Sequence, residues 1–434
     1  MNDADCIVVG AGLAGLACAR ELVRAGRSVI VVEAAYRVGG RVATETVEGF
    51  RIDRGFQVYN DAYPEGRRQL DHAGLRLGRF EAGALVAEGG KLRRVADPWR
   101  QPLAAIAAVC VGTVGIADGL RTARLRHDAV AGLRAGRLDP DALSEVNERT
   151  TAEELAARGF SASFIRRFFV PFFGGVFLER SLATAAPVFL FDFAMFALGQ
   201  ACLPAGGMAA IPAQLAAGLP EGCVRLGAAV RSVAPGRVDL ANGTTLAARD
   251  VVLATDLAAA ATLVPAEFRG GWTGRRTKAT RLMAFAADRP PLETPTLLVN
   301  AEAAGPIDNL TVPSGVAAGY APAGATLVTV SLREDFQAAS DELVAAVRGQ
   351  AAGWFGETAR RWRHLATIAV PHALPDESPA ARRQRPASVR LTRGLVLAGD
   401  HNTTASINGA LVSGRRSAEA VMGEESLRDL RAAP

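Results

Sequence analysis

Cys6-Ile7-Val8-Val9-Gly10-Ala11-Gly12-Leu13-Ala14-Gly15 is the stretch that decides the fold of this chain. Residues 6–9 form a short apolar strand, 13–25 carry helical periodicity ended by Gly26, and 28–32 is a second, β-branched strand. Strand, helix and strand follow one another within about thirty residues, the spacing of a parallel crossover unit. The glycines fall at the strand-to-helix turn. There Gly10 permits a tight turn, Gly12 lets a pyrophosphate approach bare main chain, and Gly15 lets helix and strand pack closely. The helix N-terminus adds N–H donors and partial positive charge for the phosphates. Glu33 ends the second strand, where a carboxylate accepts both hydroxyls of an adenosine ribose. The unit predicts dinucleotide binding by Gly10, Gly12, Leu13, Ala14, Gly15, Glu33 and Ala34.

Further along, strand signals cover 224–226, 230–233, 238–240 and 251–254, with a hairpin turn at Asn242-Gly243. Another short strand, 394–398, precedes Gly399-Asp400, and a helical pattern runs from 409 to about 422. Nucleotide-type segments thus stand at the start, middle and end of the chain, which predicts an α/β fold with a discontinuous, Rossmann-like binding domain of 1–84, 206–270 and 391–434. An inserted α+β substrate domain takes the remainder. Its first part, 85–205, is helical and carries Phe168, Phe169, Phe172, Phe173 and Phe177, then Phe189, Phe191, Phe193 and Phe196. Its second part, 271–390, has a strand at 326–332 and a helix at 340–355. A length of 434 residues is enough for two cores.

The net charge of +5 is spread among interspersed acids and bases, without the basic block that nucleic-acid binding needs. Cysteines at 6, 18, 110, 202 and 223 show neither disulfide pairing nor metal-ligand spacing, so no metal is expected and a reducing compartment is. Asp3 and Asp5 stand where the basic start of an export leader would be, which favours the cytoplasm. The apolar stretch 103–117 is interrupted by Gly112 and Gly115 and falls short of the roughly 20 residues of a spanning helix, so it reads as a buried helix.

After Glu33 the chain continues Ala34-Ala35-Tyr36-Arg37-Val38-Gly39-Gly40-Arg41-Val42, which resembles the extended fingerprint of the flavin amine oxidase superfamily. That superfamily includes monoamine and polyamine oxidases, protoporphyrinogen oxidases and carotenoid (phytoene) desaturases. Gly39-Gly40 offers a second bare backbone to a diphosphate, and Arg41 adds a charge-assisted fork. Gly399-Asp400-His401, followed by Ser406-Ile407-Asn408-Gly409-Ala410, resembles the second FAD signature of the same superfamily. The resemblance implies a two-dinucleotide-fold flavoprotein in which Asp400 meets the ribityl chain. It also implies that the helix near Gly409 aims N–H groups at the flavin, which stabilises the reduced, anionic ring. Carried over residue by residue, it adds Gly40, Arg41, Gly399, Asp400, Asn408, Gly409 and Ala410 to the cofactor contacts. Val230 becomes a backbone contact to adenine, Ala254 ends the strand leading back to the flavin, and Gly55 and Phe56 lie in the segment passing the isoalloxazine. No cysteine lies beyond Cys223, so the FAD is expected to be non-covalent.

Amine oxidases of the superfamily place an aromatic just ahead of the last helix, whereas this chain has Ser406-Ile407-Asn408. The segments 172–177 and 203–208 look instead like those of desaturase-like proteins. An aromatic-lined domain suits an apolar ligand. The implied reaction is two-electron dehydrogenation of a small apolar, isoprenoid- or polyene-like substrate by hydride transfer to flavin N5, with O2 or another acceptor. Amine oxidation and redox-neutral isomerisation are the alternatives. Lys278, His401 and Gln57 are the catalytic candidates: Lys278 resembles the lysine bridged by water to N5, and His401 follows the flavin-binding aspartate. A lipophilic substrate also makes peripheral membrane contact useful.

Overall fold

A computed structural model describes residues 2–97, 99–101, 115–141, 148–302, 304–334, 336, 339–386 and 388–432. The opening unit forms as its pattern dictates: β1 (Ala4–Val9), α1 (Leu13–Arg24) and β2 (Val29–Val32), with Gly26 at φ +76° just beyond the helix. Only glycine takes that left-handed conformation at no steric cost. β2 lies parallel to β1, with Cys6 opposite Val29. Thr245–Leu253 runs parallel along the other side of β1, Leu395–Leu397 runs parallel beside Thr245–Leu253, and Val224–Arg225 runs parallel to β2. Three distant parts of the chain therefore build one parallel sheet. Its strands are apolar along nearly their whole length because helices and loops cover both faces.

The turns at Gly10–Gly12, Glu33, Ala254 and Gly399 all leave the carboxyl ends of adjacent strands in this sheet, the edge at which open α/β sheets bind ligands. Arg237–Leu240 joins Thr245–Leu253 through the hairpin expected at Asn242-Gly243, where Gly243 has φ +90°. The last helix, Ile407–Ala432, starts and ends outside the span the sequence suggested, and packs along α1.

The second body is a seven-stranded sheet whose order is Arg363–Pro375, Thr277–Ala287, Thr326–Leu332, Ile307–Thr311, Leu298–Asn300, Gly83–Glu88, Lys91–Ala96. The helix Ser340–Phe355 covers one face. A boundary at 84/85 cuts through one of these strands. Gly83–Glu88 pairs with Leu298–Asn300, because Ala84 and Val86 bury against Val299.

The described helices of the first insertion are led by Ile116–Arg134, Thr151–Ala157, Val170–Phe177 and Ala186–Leu198. Thr150 and Glu153 cap Thr151–Ala157 reciprocally. One π-turn, Ile165–Phe169, brings Phe164, Phe168 and Phe169 into a ring cluster continued by Phe173 and Phe189. Residues 102–114, most of the apolar stretch read as a buried helix, lie outside the described residues. Among the described residues, no helix is long and apolar enough to cross a membrane.

Candidate cofactor and substrate site

A single cavity of about 610 Å³ takes its lining from both bodies. At the sheet edge the main chain is laid bare from two sides. Gly10 has φ +104°, and a Cβ there would stand 2.8 Å from the carbonyl oxygen of Ala254. Gly12 faces open space, Gly39 bridges to it, and Gly40, at φ +57°, has the Gly12 Cα as its nearest neighbour. Arg41 crosses from this second turn to the end of the chain, donating from Nη2 to Asp400 Oδ1 at 2.6 Å and from Nη1 to the Ala373 carbonyl at 2.8 Å. Burial pushes the Asp400 carboxyl upward, but the charge and hydrogen bond of Arg41 outweigh it and hold the group below the usual carboxylate range. Glu33 is pinned by main-chain donors: Oε2 accepts from the Ala11 N–H at 2.7 Å and Oε1 from the Ala35 N–H at 2.9 Å. A carboxylate has about four acceptor positions, so others remain for a ligand.

Of the cofactor residues expected from sequence, Gly10, Gly12, Leu13, Ala14, Glu33, Ala34, Gly40, Arg41, Gly55, Phe56, Ala254, Gly399, Asp400 and Ala410 line this cavity. Four do not. Gly15 packs against the carbonyl of Gly10, where a Cβ would come within 2.0 Å, so its role is the close helix–strand approach. Val230 begins the strand Val230–Ala234, whose partner is Arg237–Leu240, and does not reach the cavity. Asn408 is buried and accepts the Glu65 N–H at 3.0 Å, tying the last helix to the first domain. Gly409 sits on the Thr404 carbonyl, where a Cβ would come within 1.9 Å. Thr255, Asp256 and Ser406 also line the cavity, and sequence reasoning gave them no contact. Gly39, expected with Gly40 to offer bare backbone, lines it too.

The three catalytic candidates separate. Gln57 lines the cavity and donates from Nε2 to the carbonyls of Arg41 and Arg54, at 2.9 and 3.0 Å, while its buried Oε1 has no partner among the described residues. Lys278 also lines it, from the strand Thr277–Ala287, and donates from Nζ to the Phe177 carbonyl at 3.0 Å. Burial lowers the Lys278 pKa, the nearby acids Glu179, Asp376 and Glu377 opposing it. His401 does not line the cavity. The tight turn Asp400–Asn402 aims Asp400 at Arg41 and turns the next side chain away from it, where the imidazole stacks on Trp272.

The aromatic runs divide in the same way. Phe172, Phe177 and Phe196 face the cavity, whereas Phe169, Phe173 and Phe189 are core. Adjacent residues on a helix point about 100° apart, so a run cannot all face one side. Polar groups that sequence reading missed stand among these rings: Asn60, Thr184, Asp192 and Asn309. Asp192 had a local signal, since it is the one charged residue of a 13-residue helix, Ala186–Leu198.

Bare glycine turns, a bridging guanidinium, a pinned carboxylate and the unpartnered Gln57 Oε1 make a lining that fits an extended dinucleotide such as FAD. The comparisons with known proteins agree. The model of the flavin containing amine oxidoreductases matches residues 13–422, and the chain belongs to that family of FAD-dependent oxidoreductases. Putrescine oxidase of Kocuria rosea is 47% identical over 83 residues, 19% of this chain and 17% of that enzyme, so the likeness spans only a small part of the relative. Over the whole chain the likeness is one of fold. A solved structure of putrescine oxidase bound to putrescine superposes with a TM-score of 0.71 at 17% identity, covering 97% of this chain and 99% of that one. Cyclohexylamine oxidase from Brevibacterium oxydans IH-35A gives 0.68 at 17% identity, with 98% and 100% covered.

Proposed function

We propose that this chain binds FAD without a covalent bond and dehydrogenates a small molecule whose apolar body sits among Phe172, Val176, Phe177, Val188, Met195 and Phe196. The observation that carries the reading is the continuity of one cavity from the glycine turns to these side chains. When bound, FAD supplies a two-electron acceptor at N5. The protein's part is to hold and to exclude. Gly12, Gly40 and Arg41 take the diphosphate, Asp400 the ribityl chain, and Gln57 Oε1 accepts a hydrogen bond from the cofactor. The rings keep water from the carbon that gives up hydride. Lys278 Nζ, anchored on the Phe177 carbonyl at the cavity wall, donates to a water that carries off the proton leaving with the hydride. With FAD bound, O2 or another acceptor would take up the two electrons. Absence of any cysteine after Cys223 supports the non-covalent reading, since none stands near the 399–410 segment in sequence.

Oxidation of an amine, rather than of a hydrocarbon, is the second reading. Lys278 inside the cavity and the acid Asp192 among the rings favour it, as does the local identity to putrescine oxidase. Anaerobic titration of the yellow holoprotein with alkylamines, polyenes and porphyrinogens tests both. Bleaching of the flavin by a substrate that loses two hydrogens in product mass is the expected result. A flavin that no compound reduces, with turnover products of unchanged mass, would overturn dehydrogenation.

A further inference from the structure

Asp192 lies halfway along the helix Ala186–Leu198, and 8% of its surface is exposed. Val188, Asp192, Met195 and Phe196 recur at the spacing of one helix face, and all four line the cavity. The other three members of this stripe are apolar, so a carboxylate here is costly unless it finds a partner. Among the described residues it has neither a hydrogen bond nor an ion pair. The titratable groups facing it are Tyr63 and Glu377. Glu377 also lines the cavity but is satisfied by Arg275, Arg382 and Arg385, so these cations are already engaged. Burial, and then the charge of Glu377, pushes the Asp192 carboxyl up to about 7. The Nδ2 of Asn60, another lining residue, is buried and unpartnered as well.

We propose that Asp192 is the anchor for a positively charged group of the substrate, held at the aromatic end of the cavity. This inference rests on the aromatic end being the substrate's seat. The ligand class is then an apolar chain or ring that ends in an ammonium. A neutral polyene leaves Asp192 buried and unpaired, whereas an ammonium pairs with it and lies against ring faces.

The test uses dithionite-reduced holoprotein under argon, which binds ligands without turning them over, and calorimetry with n-hexylamine and 1-hexanol at about pH 8. The wild type is expected to bind the ammonium about tenfold or more tightly than the alcohol, a preference that Asp192→Glu keeps and Asp192→Asn reduces to about threefold or less. Below pH 7 or so, binding of the ammonium must expel a proton from Asp192, so its affinity falls with pH in the wild type and stays flat in Asp192→Asn. Equal binding of amine and alcohol by the wild type, or an undiminished preference in Asp192→Asn, overturns the anchor and leaves the substrate seat standing. Failure of both ligands to bind overturns the seat and the anchor together.

Discussion

The imidazole of His401 lies flat against Trp272, ring centroids 6.3 Å apart and planes 12° from parallel, and neither ring nitrogen has a partner among the described residues. Burial lowers its pKa from 6.5 to about 4. Asp400 and Asp256 act against that shift, and Arg275 and Arg41 with it. A histidine whose folded pKa is depressed contributes fully above its unfolded pKa, and that stability is lost as pH falls toward the folded value. At pH 5 the unfolded chain holds a proton on His401 that the folded chain does not, a cost of about 2 kcal/mol. His401→Phe keeps the stacking and removes the titration. Urea unfolding of both proteins is expected to show the variant gaining about 2 kcal/mol on the wild type between pH 7.5 and pH 5. A difference independent of pH would show that His401 does not titrate as a buried base. Position within a motif placed His401 beside the flavin, but side-chain direction depended on a three-residue turn whose geometry no periodicity reveals.

At the scale of elements, the contact between α1 and the helix Ile407–Ala432 holds the two ends of the chain together. A Cβ on Gly414 would stand 2.3 Å from the Ala14 carbonyl oxygen and 2.7 Å from the Ala17 Cβ, atoms of a buried helix that cannot turn aside. Gly414→Ala is expected to destabilise the protein by roughly 1–3 kcal/mol despite the better helix propensity of alanine. FAD affinity should fall with it, since Ile407 and Ala410 at the start of this helix line the cavity. Gly423, on the same helix, meets nothing within 4 Å, and Gly423→Ala is expected to leave affinity unchanged and stabilise by up to about 1 kcal/mol. Denaturant midpoints and FAD fluorescence quenching distinguish the two. Strands at 326–332 and helices at 340–355 were legible because their periodicity is local. The strand Gly83–Glu88 was cut by the expected boundary because its partner, Leu298–Asn300, is more than two hundred residues away.

For the whole molecule, the candidate FAD contacts come from the start, middle and end of the chain, so the cofactor acts as a clamp on the folded state. A ligand that binds only the folded protein stabilises it by about 2.7 kcal/mol at one hundred times its dissociation constant. Thermal unfolding of the apoprotein should therefore shift upward with added FAD. Arg41→Ala breaks the pair with Asp400 and removes the guanidinium proposed to hold the diphosphate, so at the same FAD concentration about half of that increment, or less, should survive. An undiminished shift would mean that Arg41 takes no part in holding the cofactor.

Glycine turns, Glu33, the Gly39-Gly40-Arg41 run and Gly399-Asp400 were readable in the chain itself, because each packs its chemistry into a few consecutive residues whose local geometry any fold must respect. These determined the family, its cofactor and the parallel sheet. Tertiary structure alone decided that Arg41 meets Asp400, that Phe172 faces the cavity while Phe173 fills core, and that Asp192 ends up unpaired among rings. Those outcomes depend on which distant segments come to lie side by side, and burial, rather than local sequence pattern, sets their energies.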